Sequence, residues 1–484
     1  MPSPSSFLHK REAYTDKYSA TRASVKPQPA SQDEILYRPV EEAEPVEKYA
    51  PGGFHPVQLG DVLSNGRYLI VHKLGFGGFS TVWLARDIPE NRYVALKICV
   101  ASSHEELEEH QILSRIKSQS DNQPGGNLMH LPFDSFTITG PNGVHTCFAS
   151  APGRCSIAES KFYSDGVWLF PLETARAITA QLILAVSFLH SIGIAHGGRQ
   201  RPPLLLTYTN GKQDLHTGNV ILALPDISSL TVEDLNAQFG EPQKEPVIRL
   251  DDKPISHHVP PYVMRGAWLG KPCEDVTLSD ARVLVTDFGE SWQPSSRPCY
   301  HLRIPMLYRS PEALFAEREG TPIGLAADVW ALACVIYDLF AKGTLFECFV
   351  PDADDVFAEN ISLLGNPPQR WWDMWEAKGD FFNENGEWNI KSKRVSDGKY
   401  KSMKTRMGYI AEDREGSITG KELEDLTGLL EQMLRWLPDD RATAEELTNG
   451  RWMQKWGLPA LESINRSGNG GKFRSGCVNM SKWR

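Results

Sequence analysis

"RYLIVHKLGFGGFSTVWLARD", Arg67 to Asp87, holds two apolar runs separated by glycines. Short runs rich in β-branched and aromatic residues, broken by Gly, read as strand, turn, strand. Gly75, Gly77 and Gly78 thus lie between two strands, not between a strand and a helix. In such a hairpin, backbone N–H groups can approach a phosphate with no side chain in the way. Ser80 stands where a G-x-G-x-x-G pattern has its third glycine. Glycine hairpins without a ligand are common, so the loop alone does not establish a nucleotide site.

Downstream, "RYVALKICV" (Arg92 to Val100) predicts the next strand, with Lys97 in its apolar middle. An ammonium there needs an anion, because burying it unpaired is costly; an edge-strand lysine that snorkels to water is the bland alternative. "SSHEELEEHQILSRIKS" follows, with Leu107, Ile112, Leu113 and Ile116 at helical spacing and Ser102 or Ser103 as N-cap. Glu109 shares the inward face with Leu113, one turn on, and is the carboxylate available to Lys97. Glu105, Glu106 and Glu108 read as a solvated face. "HTCFAS" (His145 to Ser150) predicts another strand, and "ETARAITAQLILAVSFLHSIG" and "LAADVWALACVIYDLFA" predict apolar, buried helices. "GKELEDLTGLLEQMLRWLPDDRATAEELTNGRW" predicts two amphipathic helices around a Pro-Asp-Asp turn. The first part is strand-rich and the remainder mainly helical.

Bulk properties narrow the function. Over 484 residues the net charge is −10, which argues against a general nucleic-acid binder. Eight Cys without C-x-x-C pairs read as reduced thiols. No run reaches the roughly 18 apolar residues of a membrane span. The N-terminal residues lack the apolar core of a signal peptide, and Glu12 and Asp16 count against a transit peptide. Residues 1–50 are polar and aperiodic and are expected to form a disordered arm; residues 458–484 are expected to be a loose tail.

Two further stretches carry chemistry. "DLHTGN" supplies Asp214 and Asn219, a carboxylate able to accept a hydroxyl proton and an amide oxygen able to bind Mg2+. "VLVTDFGES" places Asp287 at the end of an apolar strand, before Phe288 and Gly289. Each alone is turn chemistry more often than catalysis. Their order along the chain, behind the glycine loop and Lys97, is not coincidental.

In this order the motifs resemble those of eukaryotic-type protein kinases. "YRSPE" carries Ser310-Pro311-Glu312 where that family has Ala-Pro-Glu, "DVW" carries Asp328, and Arg441 matches the arginine that pairs with the Glu312 position. "YAPGGFHPVQLGDVLSNGRYLIVHKLGFGGFSTVWLARD", with serine at Ser80 and a spacer from about Pro225 to Asp280, is similar to the serine/arginine-rich protein kinases (SR-protein kinases). The resemblance implies an α+β, bilobal kinase fold. A small β-rich lobe would span 51–151 and a large, mainly helical lobe 152–457.

ATP would lie between the lobes. Leu74, Gly75, Gly77, Gly78, Val82, Ala95, Lys97 and Ile221 would bind it, with Val82, Ala95 and Ile221 about the adenine. Lys97, held by Glu109, would contact phosphates; Asn219 and Asp287 would hold Mg2+; Asp214 would position the acceptor serine. The implied partner is a protein substrate, Arg/Ser-rich such as a splicing factor, for a monomer that binds neither nucleic acid nor membrane and works in cytoplasm and nucleus. "VPDADDVFAEN" offers Asp352, Asp354, Asp355 and Glu359 as acids for such a substrate, although Ser362 stands where a second docking carboxylate is expected.

Three departures follow. His216 replaces a lysine near the γ-phosphate, and Gly197 replaces the arginine before the catalytic aspartate. The second predicts activity independent of phosphorylation at Ser295 or Ser296. The third is an insert: without the 16 residues 198–213 the chain reads "GIAHGDLHTGNVILAL", with His196, Asp214 and Asn219 in register. Either the insert is a retained intron in the gene, which its length and the "TNGKQ" stretch favour, or it is a true surface insertion. If translated, it predicts weak or absent activity, or a scaffold role as a pseudokinase. "HGDLHTGN" also resembles small-molecule phosphotransferases; Ser310-Pro311-Glu312, Asp328 and Arg441 speak against that class.

Overall fold

Strand propensity and glycine placement build the first unit. A computed structural model of the chain describes residues 36–101, 105–121, 123–197, 216–302, 304–348, 352–395 and 401–467, with the backbone alone described at 105–109 and 465–467. These residues divide into two units: one from 1–102, 132–152 and 226–269, the other from 103–131, 153–225 and 270–484.

In the first unit, β1 (Val62–Leu63), β2 (Tyr68–Phe76), β3 (Ser80–Asp87), β4 (Arg92–Cys99), β5 (Asp134–Gly140) and β6 (Gly143–Ser150) form an antiparallel sheet in the order β1-β2-β3-β4-β6-β5. The quoted hairpin is therefore β2–β3, as its pattern predicts. One face packs Tyr68, Ile70, Trp83, Ala85, Val94, Leu96, Ile98 and Met264 into an apolar core. The alternation of two along each strand dictates that the opposite face carries Val82, Ala95 and Lys97.

Two expectations need correction here. Residues 36–50 are not a disordered arm: Tyr37, Ala43, Val46, Tyr49 and Phe54 pack against Val247, Val259 and Val263, because apolar residues spaced irregularly along the arm find apolar partners in the spacer. Residues 1–35 lie outside the described residues. The spacer, expected within the large lobe, supplies residues 226–269 to the first unit instead. It carries a helix Val232–Phe239, started by a capping box of Thr231 and Asp234, and a short ribbon of Lys244–Pro246 with Tyr262–Met264.

The second unit is mainly helical. Leu172–Ser191 is long and apolar enough to cross a membrane by length and composition alone. Its residues Ala175, Ile178, Leu182, Ile183, Val186 and Leu189 are buried, which is the pattern of a core helix. Ala326–Phe340 is buried along nearly its whole length. Gly420–Met433 and Ala444–Thr448 flank a turn at Pro438–Asp440, as the sequence predicts. The tail also differs from expectation: Leu458–Ser467 is helical, with Ala460 and Leu461 buried. A three-stranded sheet, Gly153–Ser156 beside Val220–Ala223 beside Val283–Val285, lies in this unit and positions the site residues described next.

Candidate active site

In the first unit the glycine loop closes the β2–β3 hairpin. Gly77 N–H donates to Ser80 O at 2.8 Å and pins the tip. A Cβ built on Gly75 meets no heavy atom within 4 Å, so the glycine there is not demanded by packing. It leaves the backbone bare toward open space, as a loop that covers phosphates requires. Val82 lies opposite Lys97 in the β3–β4 register, and Ala95 is two residues from Lys97 on the same face. The sheet alone thus aligns three of the expected nucleotide residues, with Leu74 and the glycines at its end. Lys97 is half-buried. Glu109 lies in the helix Glu105–Ser120, and its side chain is outside the described residues.

In the second unit, Val220 pairs with Val285 and Ile221 with Leu284, antiparallel. The backbone bond from Thr286 N–H to Asn219 O, 3.0 Å, extends that ladder by one step. Asn219 and Asp287 therefore sit at adjacent strand ends, although Thr286 and Asn219 are 67 positions apart in the chain. Asp287 has φ +66°, a left-handed conformation that Asp tolerates better than most residues and that recurs at functional sites. An amide oxygen and a carboxylate are hard donors suited to Mg2+, so the donor chemistry fits the expected metal. Among the described residues no cluster of three His, Cys, Asp or Glu side chains could hold a metal by itself.

His196 ties the catalytic segment to Phe288. Its Nε2 bonds Thr286 O at 3.0 Å, and its ring meets the Phe288 ring edge-on with centroids 5.3 Å apart. Burial pushes the imidazole pKa down, against the Asp328 carboxylate; the neutral ring then carries its proton on Nε2, toward the carbonyl. Asp328 accepts the N–H of His196 at 2.8 Å and of Gly197 at 3.1 Å. That contact gives the buried Asp328 carboxylate its partners, and it clamps the chain on the near side of the insert. On the far side, Gly218 N–H donates to His216 Nδ1 at 2.9 Å and Asn219 N–H to His216 O at 3.0 Å. A Cβ on Gly218 would meet the His216 ring at 2.3 Å, so only glycine fits there. Asp214 and the whole 198–213 insert lie outside the described residues.

The expected pairing of Arg441 with Glu312 is present and bidentate, 2.8 and 2.6 Å. The acids offered for docking have internal partners. Arg394 bonds Asp355 at 3.1 Å and Asp352 at 2.5 Å, Arg406 bonds Glu359 at 2.6 Å, and Trp375 donates to Asp354 at 2.7 Å. Ser362 is buried and accepts Lys401 N–H at 2.9 Å.

Two groups escape the sequence reading. Lys73, in "YLIVHKLGF", is fully buried against Glu44; the argument applied to Lys97, an ammonium inside an apolar strand, identifies it equally well. Thr217 lies 3.4 Å from the Tyr308 hydroxyl, which donates to Asp338 at 2.5 Å. No spacing signal links those three residues.

Residues 274–453 match the protein kinase domain family. The chain is 28% identical over 419 residues to a serine/threonine protein kinase of Aspergillus fumigatus, covering 85% of this chain and 90% of that one. It is 28% identical over 425 residues to the serine/threonine-protein kinase SRPK of Physarum polycephalum, covering 84% and 90%. It is 34% identical over 172 residues to the human SRSF protein kinase 3, covering 35% and 30%. A protein kinase domain uses ATP with a divalent cation. Matching motifs, a strand-built lysine site, a ladder that joins Asn219 to Asp287 and these relatives converge on a serine/threonine protein kinase: residues 274–453 match the protein kinase domain, and the chain is similar to SR-protein kinases.

Proposed function

We propose that the chain transfers the ATP γ-phosphate to serine in Arg/Ser-rich proteins, such as splicing factors, with Mg2+ as the cation. The observation that supports the site assignment is the bond from Thr286 N–H to Asn219 O, which brings the backbones of Asn219 and Asp287 to adjacent strand ends. In this reading Lys97 contacts the ATP phosphates and is oriented by Glu109. The bare backbone at Gly75, Gly77 and Gly78 lets the loop approach the phosphate oxygens closely, and Leu74, Val82, Ala95 and Ile221 bind the base. Asp214 orients the acceptor hydroxyl and takes its proton. Asn219 and Asp287 would hold Mg2+, which would supply positive charge to the phosphates. His216, whose Nδ1 accepts from Gly218 N–H, stands in place of a lysine and as a neutral imidazole supplies hydrogen bonding, not charge.

Substrate choice rests on relatives named for SR proteins and on the acids near 352–359. Arg394 bonds two of these carboxylates at once, which supports their fitness for a guanidinium. A substrate arginine would exchange with it. As a kinase of this type the protein would act as a monomer in cytoplasm and nucleus.

The test uses chain lacking residues 198–213, incubated with Mg-ATP and offered an Arg-Ser peptide, an aminoglycoside or no acceptor. Phosphoserine should form on the peptide alone, and Asp214→Asn should abolish it. Phosphate on the aminoglycoside, or none anywhere, would sink the proposal. The full chain with its insert should be slower by about 100-fold or more, since a misplacement of about 1 Å in a catalytic group costs that much. Equal rates would show that the insert leaves the loop intact.

A further inference from the structure

The glycine loop is gripped at both ends by one short piece of the chain. Residues Val46–Lys48 form a single 3-10 turn. Just before it, the Glu44 carboxylate meets the Lys73 ammonium and the Tyr49 hydroxyl, all buried. Lys73 is two residues from Gly75, where the β2–β3 register shifts between Lys73 and Gly75. Just after it, Lys48 Nζ donates to Gly78 O at 3.4 Å, near the hairpin tip. The Lys48 ammonium also lies 5.7 Å from the Phe54 ring centroid.

The other side of the same strand is held by the end of the spacer. Ala267 N–H donates to Lys73 O at 2.8 Å. A Cβ on Gly266 would come within 2.7 Å of Leu74 O, so that segment approaches the strand more closely than any side-chain-bearing residue allows. Ala43, Val46, Tyr49 and Phe54 fasten the turn to the spacer through apolar contact.

A hairpin tip made of Gly-Phe-Gly-Gly has little stiffness of its own, because glycine backbone is the least restricted. External contacts must therefore set its height above a bound phosphate chain. We propose that residues 44–49 are a strap that positions the glycine loop for phosphate binding, with Glu44 acting through Lys73 at the base and Lys48 acting on Gly78 at the tip. These are positioning residues, and the inference rests on the reading of Gly75–Ser80 as the phosphate-covering loop.

The strap makes a distinct prediction about ligands. Loop placement concerns phosphates, so ATP affinity should depend on it while adenosine affinity should not. The experiment titrates the full chain and its Lys48→Met and Lys48→Arg variants with ATP-Mg2+ and with adenosine, and records thermal melting. Methionine keeps the apolar stem over Phe54 and removes the donor. Lys48→Met should weaken ATP binding about fivefold, the effect of one lost hydrogen bond, with adenosine binding and melting temperature unmoved. Lys48→Arg should restore ATP binding. Glu44→Gln should weaken ATP binding further and also lower the melting temperature.

In chain lacking 198–213, Lys48→Met should raise KM for ATP with little change in kcat. Unchanged ATP binding by Lys48→Met overturns the strap, as does an equal fall for ATP and adenosine. A parent chain that binds neither ligand overturns the kinase reading itself, which separates the two failures.

Discussion

Two buried ion pairs, one in each unit, do different jobs with similar groups. In the second unit Arg441 pairs with Glu312; in the first, Lys73 pairs with Glu44. The five N–H donors of a guanidinium are all used: two go to Glu312, and the others to the carbonyls of Arg435, Ala326 and Trp436 at 3.0, 3.1 and 3.2 Å. The cation thus closes a seam among four chain segments. Lys73 makes its charge contact with Glu44 alone and lies 5.6 Å from the centroids of both the Phe76 and Trp83 rings. Burial pushes the pKa of its ammonium down. The arginine is part of the backbone's hydrogen-bond network, whereas the lysine is a point attachment between a strap and a strand.

The contrast is broken most forcefully by Arg441→Met. It leaves the buried Glu312 carboxylate without its cation and removes three bonds to carbonyls, and should destabilise the protein by about 3–5 kcal/mol in urea unfolding. A loss below about 1 kcal/mol would mean that the seam closes without the guanidinium.

A third buried carboxylate sharpens the comparison, because its charge is poorly matched. Burial pushes the Asp338 pKa up to about 6, against Lys161, whose ammonium donates to the Asp338 backbone carbonyl, and against the Tyr308 hydroxyl. The folded state then holds a proton that the unfolded chain, with a pKa near 4, gives up. The stability this provides is full below about pH 4 and is lost as pH rises through about 6. Relative to Asp338→Asn, the parent should lose about 2–3 kcal/mol between pH 4 and pH 7. Parallel pH profiles for the two would refute the assignment.

The smallest effect is expected where both charges of the first pair are removed together. Glu44→Met with Lys73→Met replaces a single ionic contact by apolar volume among aromatic rings, and should leave stability within about 1 kcal/mol of the parent. It should still loosen ATP binding, since the strap then lacks its directional anchor. The equivalent double change at Glu312 and Arg441 should remain strongly destabilising, because three further bonds from the guanidinium to carbonyls are lost with the pair.

The sequence by itself determined the hairpin, the position of Lys97 in β4, the buried helices and the motif order that named the family. All of these depend on local period, glycine placement and short-range spacing, which a chain displays without being folded. The pairing of Arg441 with Glu312 was legible through family motifs, though not through any local rule. Only the tertiary structure decided that residues 36–50 are an ordered segment packed on the spacer and that residues 226–269 belong with the sheet. It alone placed Asn219 beside Asp287, buried Asp338 behind Tyr308, and supplied partners to Asp352, Asp355 and Glu359. Each of these joins residues tens to hundreds of positions apart. Their contacts arise when strands pair and apolar faces close, and neither event leaves a trace in local periodicity.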